Sequence, residues 1–105
     1  MKYFMIYITA KNNSEAKKIS NFLLEKKLVA CVNIIPKIES MYWWKGKIEK
    51  NSESAIVAKT ESSLVDSVVS AVKRVHSYEL PCILAVPIEK GNEDYLKWIG
   101  EVVAR

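Results

Sequence analysis

The stretch MYWWKGKIEKNSE (Met41–Glu53) decides how this chain folds. Four large apolar residues run together, and the chain then turns on Lys45-Gly46. Neighbouring residues of a strand point to opposite faces of its sheet, so Tyr42 and Trp44 serve one face while Met41 and Trp43 serve the other. Both faces are apolar, and one set of helices covers only one of them. Working outward, ACVNIIPKIESMYWW (Ala30–Trp44) reads as one extended arm and KIEKNSESAIVAKT (Lys47–Thr60) as its return. The arms of this antiparallel hairpin are about fourteen residues each, roughly 45 Å at ~3.3 Å per residue, where strands of about five or six are usual. Pro36 cannot donate to a ladder, so it marks a bulge or an edge position.

The rest of the chain supplies the other elements. Lys2–Thr9 is β-branched and aromatic and reads as a first strand. Asn13 and Ser14 can cap a helix with Glu15 in its first turn, and Ala16, Ile19, Phe22 and Leu23 give it an apolar face that ends near Lys27 or Leu28. Ser63–Asp66 resembles a capping box before a second helix with the stripe Val65, Val68, Val69 and Val72. Pro81 ends a loop, CILAVPI (Cys82–Ile88) reads as a short apolar strand, and Gly91-Asn92 opens a last helix through Tyr95, Leu96, Ile99 and Val103. The order β-α-β-β-α-β plus a terminal helix is an α+β, ferredoxin-like arrangement, one domain over residues 1–105. Two helices pack on one face of its sheet and leave the other bare. Strand one is apolar in both registers, as the hairpin is around Trp43 and Trp44. A patch of that kind marks an interaction site, and the simplest cover is another copy of the chain.

Composition narrows the function. Sixteen Lys and Arg against twelve Asp and Glu give a net charge of +4, spread along the chain and not gathered into a stripe. That spread serves solubility and speaks against nucleic acid as a partner. Lys45-Gly46 has the start of an RNA-recognition segment, but Lys47, Ile48 and Glu49 stand where the stacking aromatics belong. No apolar run reaches the roughly 18 residues a membrane span needs, and the N-terminal run lacks a small-residue cleavage site, so a cytoplasmic protein without a membrane partner is expected. Cys31 and Cys82 lie in apolar strands as reduced core thiols. No phosphate loop, nucleophile elbow or Ser-His-Asp set is present, and no enzymatic activity is expected.

The segments ACVNIIP (Ala30–Pro36), SMYWWKGKIE (Ser40–Glu49), HSYELP (His76–Pro81) and GNEDYLKWI (Gly91–Ile99) resemble, in order and spacing over nearly the whole chain, those of the CutA family of divalent-cation tolerance proteins. The resemblance implies a homotrimer of ferredoxin-like subunits, similar in plan to the PII signalling trimers, connected with tolerance of copper and other divalent metals. Two positions depart from the pattern. Ser77 stands where proline is common, which predicts a slightly looser loop. Some relatives proposed to ligate copper carry a cysteine and a first histidine where this chain has Ile8 and Val75, which leaves His76.

His76 is the only histidine, and it sits in a loop, where functional side chains concentrate. The candidate ligands for Cu(II) or another divalent cation are His76, Glu79 and the thiolate of Cys31, with no cofactor obligatory. The weight on Cys31 falls on a packed thiol, and His76 also suits the end of the second helix. By analogy with PII trimers, Asn33, Tyr42, Lys59, Tyr78 and Glu79 would line inter-subunit clefts able to hold a small anion or metabolite. Tyr42, Trp43 and Trp44 are the expected trimer contacts, closing on a neighbouring copy.

Overall fold

The structure, a computed structural model, describes residues 2–104. The hairpin reaches the expected length: β2 (Cys31–Trp44) has 14 residues and β3 (Lys47–Glu61) has 15. Lys45 and Gly46 carry φ of 50° and 80°, the two left-handed residues of a tight hairpin turn whose twist matches that of the strands. A Cβ on Gly46 would meet nothing within 4 Å, so only its backbone conformation asks for glycine. Pairing jumps from Ile35↔Ala55 to Ile38↔Glu53, which places a bulge at Pro36 and Lys37. Ser54 Oγ donates to the Pro36 carbonyl at 2.7 Å and ties down that irregularity. The arms stretch the molecule to 44 × 26 × 22 Å.

The four strands, with β1 (Tyr3–Ala10) and β4 (Ile83–Pro87), form one antiparallel sheet in the order β2-β3-β1-β4. One face carries Ile6, Ile8 and Ala10 of β1 with Ile56 and Ala58 of β3. Helices α1 (Asn13–Glu25) and α2 (Val65–Val75) close over it with Ala16, Ile19, Leu23, Val68, Ala71 and Val72, all at most 1 % exposed. Each large aliphatic side chain buried in this layer contributes about 1.5–3 kcal/mol. No described helix is long and apolar enough to cross a membrane.

Three local expectations need correction. Asn12 caps α1: its side chain accepts from Glu15 N–H at 2.9 Å while Glu15 Oε1 accepts from Lys11 N–H at 3.1 Å, a reciprocal arrangement one residue earlier than expected. The helix ends at Glu25, because Lys27 turns left-handed at φ 55°. The Ser63–Asp66 box is absent: Ser62–Leu64 form a single 3-10 turn, and Leu64 caps α2 without a side-chain bond.

The second sheet face is only partly bare. Helix α3 (Glu93–Val102), capped by Asn92, lies across one end of it. A Cβ on Gly100 would come within 2.8 Å of Glu61 Oε2 and 3.5 Å of the Tyr3 hydroxyl, so glycine lets this helix approach closely. Leu96 and Ile99 are buried there. Beyond α3 the same face keeps Met5, Ile35, Leu84 and Val86 exposed, at 38 %, 44 %, 57 % and 46 %. Tyr42, Trp43 and Trp44 are open at the hairpin tip.

Candidate functional site

Where the hairpin leaves the body of the sheet, the loop after α2 rises beside it and a cleft of about 830 Å³ opens between them. One reciprocal network holds the loop. His76 ends α2 with its N–H donating to Val72 O at 2.9 Å. Its ring Nδ1 accepts from Tyr78 N–H at 3.0 Å, so Nε2 carries the proton and donates to the Thr9 carbonyl at 2.7 Å. Ser77 N–H donates to Glu15 Oε2 at 2.9 Å. Burial pushes the Glu15 carboxyl up, but the hydrogen bonds from Ser77 and Lys11 outweigh it and hold the group below its ordinary 4.5.

With the loop pinned, Tyr78 crosses to the hairpin, where its hydroxyl donates to Glu53 Oε2 at 2.6 Å. Glu53 is 7 % exposed although it is a carboxylate on a strand. Burial first, and then the bond to the Glu53 carboxylate, drive the Tyr78 hydroxyl far above its ordinary value of 10.0. Glu39, Tyr42, Trp44 and Glu79 complete the working walls of the cleft.

The residues singled out in the sequence fall into two groups. His76, Tyr78, Glu79 and Tyr42 gather at the cleft or its supporting loop. Cys31, Asn33 and Lys59 lie together elsewhere: Cys31 and Lys59 are cross-strand partners, and Lys59 Nζ donates to Asn33 Oδ1. Cys31 Sγ contacts the Tyr95 hydroxyl at 3.2 Å, so α3 supplies the thiol's partner. Asn33 and Tyr42 are separated by about 30 Å of extended strand. The set of Cys31 with His76 and Glu79 is therefore not assembled within one chain, nor is the cleft set of Asn33 and Lys59 with Tyr42 and Tyr78. No group of three His, Cys, Asp or Glu side chains able to hold a metal ion occurs among the described residues. The two ring nitrogens of His76 already serve Thr9 and Tyr78.

Glu53 and Glu15 were not singled out. Glu15 follows Asn12 at capping-box spacing, a signal present in the sequence. Glu53 shares a strand face with Ala55 and Val57 by simple alternation, which marks it as directed at the sheet and not at open solvent. The loop is also tighter than expected at Ser77, because its N–H, which a proline would lack, is the donor to Glu15.

Comparison with known proteins follows the same outline. Residues 4–102 match the family profile described as "CutA1 divalent ion tolerance protein". The divalent-cation tolerance protein CutA of Archaeoglobus fulgidus is 53 % identical over 98 residues, covering 93 % of this chain and 95 % of that protein. The human protein CutA is 47 % identical over 96 residues, 91 % of this chain but 54 % of its own length. Among solved structures, that of the Archaeoglobus fulgidus protein, described as periplasmic, superposes with a TM-score of 0.94 at 50 % identity, covering 97 % of this chain and 99 % of its own. CutA1 from Oryza sativa superposes at 0.95 with 38 % identity, covering 99 % of this chain and 95 % of its own. The long hairpin, the strand order and this near-complete match lead to one conclusion: the chain belongs to the CutA1 divalent ion tolerance family.

Proposed function

We propose that this chain works as a cytoplasmic homotrimer in the response to divalent metal ions, without enzymatic activity of its own. The observation that carries the trimer is the apolar surface formed by Met5, Ile35, Leu84 and Val86 together with the tip residues Tyr42, Trp43 and Trp44. Surfaces of this kind are covered in stable proteins, and identical copies cover them most economically in closed symmetry. A long two-stranded tip is marginal in water by itself, which favours its packing on a neighbour. The metal-tolerance reading comes from the relatives' descriptions. The cytoplasmic reading is supported by the free, half-buried thiols of Cys31 and Cys82. Light scattering on the eluting protein tests the assembly. A mass three times the 12.0 kDa of the chain is expected, and a mass of one chain overturns it.

A second reading, a small-molecule binding module of PII type, is favoured by the cleft, which at about 830 Å³ lies within the usual range of ligand sites, roughly 300–1,000 Å³. Direct copper ligation by His76 is a narrower proposal. Cu(II) would have to take Nδ1 from the Tyr78 N–H or Nε2 from Thr9, so binding would loosen the loop that supports the cleft. Calorimetric titration of Cu(II) into the protein and into a His76→Ala variant tests it, and equal heats in both would remove His76 as a ligand.

A further inference from the structure

We infer that the outward face of the helix layer docks a flexible acidic segment of a partner protein. The inference goes beyond the proposed function and uses no residue of the hairpin tip, the cleft or the bare sheet face.

Positive charge is scattered in the sequence but gathered in the fold. Residues 11–27 and 62–77, which hold α1 and α2, contain seven Lys and Arg against three Asp and Glu, and the rest of the chain contains nine of each. The helix layer thus carries the whole net charge of +4. All seven cations are exposed: Lys11, Lys17, Lys18, Lys26 and Lys27 on or beside α1, and Lys73 and Arg74 on α2. Of the three carboxylates, Glu15 is buried and already accepts from Lys11 N–H and Ser77 N–H. Glu25 and Asp66 can neutralise at most two of the seven.

Helix stability does not account for these cations. None has an exposed carboxylate three or four residues away, the spacing at which ion pairs support a helix. The helix dipole favours Lys73 and Arg74 in the last turn of α2, and Lys26 and Lys27 just past the end of α1. It gives no reason for Lys11, Lys17 and Lys18. The bond from Ser77 N–H to Glu15 Oε2 sets the end of α2 beside the start of α1, so the helices run antiparallel and Lys73 and Arg74 come level with the half of α1 that carries Lys17 and Lys18. From Arg74 an open groove of about 560 Å³ leads along α2 past Ser70 and Ser67 to Lys26, with Asp66 and Leu28 at that end. Two cations and two hydroxyls supply donors for carboxylates along it.

The chemistry of the layer selects the partner. Six of the seven cations are lysines, point charges without the fork by which arginine grips phosphate. The large exposed aromatic side chains lie on the hairpin tip and on α3, so the layer offers nucleic-acid bases no stacking platform. Leu24, exposed on α1 among the lysines, suits an apolar side chain of a peptide. In a threefold assembly whose copies cover the opposite sheet face, the three helix layers face away from one another, and a flat membrane meets only part of them. A flexible acidic chain can follow that surface, drawn in by its field.

The test is fluorescence anisotropy of a labelled peptide of Glu-Glu-Leu-Gly repeats, titrated with the full-length protein at low salt. Saturable binding is expected, and it should weaken as ionic strength rises. Lys17→Gln with Lys18→Gln, and separately Lys73→Gln with Arg74→Gln, should each weaken it by about fivefold or more. Both pairs are at exposed positions, and if one variant fails to fold the other decides. Lys90→Gln with Lys97→Gln, which removes the same charge outside the layer, should change binding by less than about twofold. Equal losses in all three pairs would reduce the effect to net charge and overturn the inference. Absence of binding overturns it as well, as does tighter binding of a single-stranded oligonucleotide or of phosphatidylserine vesicles than of the peptide. Light scattering on the same samples reports the assembly separately, so a trimer that ignores the peptide removes this inference alone.

Discussion

The Tyr78 hydroxyl and Glu53 Oε2, 2.6 Å apart, join the loop after α2 to the base of the long hairpin. Twenty-five residues separate them in sequence, and one hydrogen bond to a buried carboxylate links two residues that line the cleft. Bonds to charged groups contribute about 1.5–3 kcal/mol. Tyr78→Phe should therefore lower unfolding free energy by about 1–3 kcal/mol, read from the urea midpoint at unchanged slope. A midpoint equal to that of the native protein would show that the contact contributes nothing.

The same bond sets behaviour at high pH. The folded-state value of the Tyr78 hydroxyl lies above its ordinary 10.0. Its contribution is complete below pH 10.0 and is lost as pH rises from there toward the folded value, because the unfolded chain gives up that proton first. Stability measured across pH 9 to 12 should fall less steeply in Tyr78→Phe than in the native protein.

Glu15 gives the opposite sign at low pH. Its folded value lies below 4.5, so its contribution is present above pH 4.5 and is lost as pH falls through the folded value. Glu15→Gln should remove that part of the acid dependence. Denaturation at pH 6 and pH 3 checks it: the native protein should lose more stability over that interval than the variant.

Ser77 and Glu15 should be coupled energetically. Ser77→Pro deletes the N–H that donates at 2.9 Å, while the stiffer proline reduces unfolded-state entropy by about 0.4–1 kcal/mol. A double-mutant cycle of Ser77→Pro with Glu15→Gln should show a coupling of about 1–2 kcal/mol. Additive effects would mean that the bond from Ser77 N–H to Glu15 contributes nothing to holding the loop.

Much of the fold was legible because the hairpin announces itself. Fourteen residues of extended pattern on each side of Lys45-Gly46 left few alternatives, and Pro36 located the bulge. The cap of α1 slipped by one residue because Asn12, Asn13 and Ser14 all suit a cap, and only the reciprocal reach of Glu15 to Lys11 N–H selects Asn12. The position of α3 was not legible: its contact with Tyr3 and Glu61 depends on the close approach that Gly100 permits. The site was legible in half. His76 and Tyr78 stood out by type and loop placement, but that Cys31 lies apart from His76 within one chain was not legible, because residue type carries no information on distance along a strand about 45 Å long. Glu53 was passed over because an isolated glutamate in KNSESA reads as solvated, and only the Tyr78 hydroxyl across the cleft shows why it is buried.

The central claim is that copies of this chain cover its exposed aromatic tip and bare sheet face. It is tested most directly by the solution mass of Trp43→Ala with Trp44→Ala, measured by light scattering beside the native protein. Truncating a large interface aromatic commonly costs about 2 kcal/mol or more, and a three-fold assembly repeats the loss at each contact. The native protein should run at three times 12.0 kDa and the double variant at lower mass or with a sharply lower melting temperature, while Lys47→Ala changes neither. A native mass of 12.0 kDa, or a double variant indistinguishable from the native trimer in mass and melting, would contradict the account.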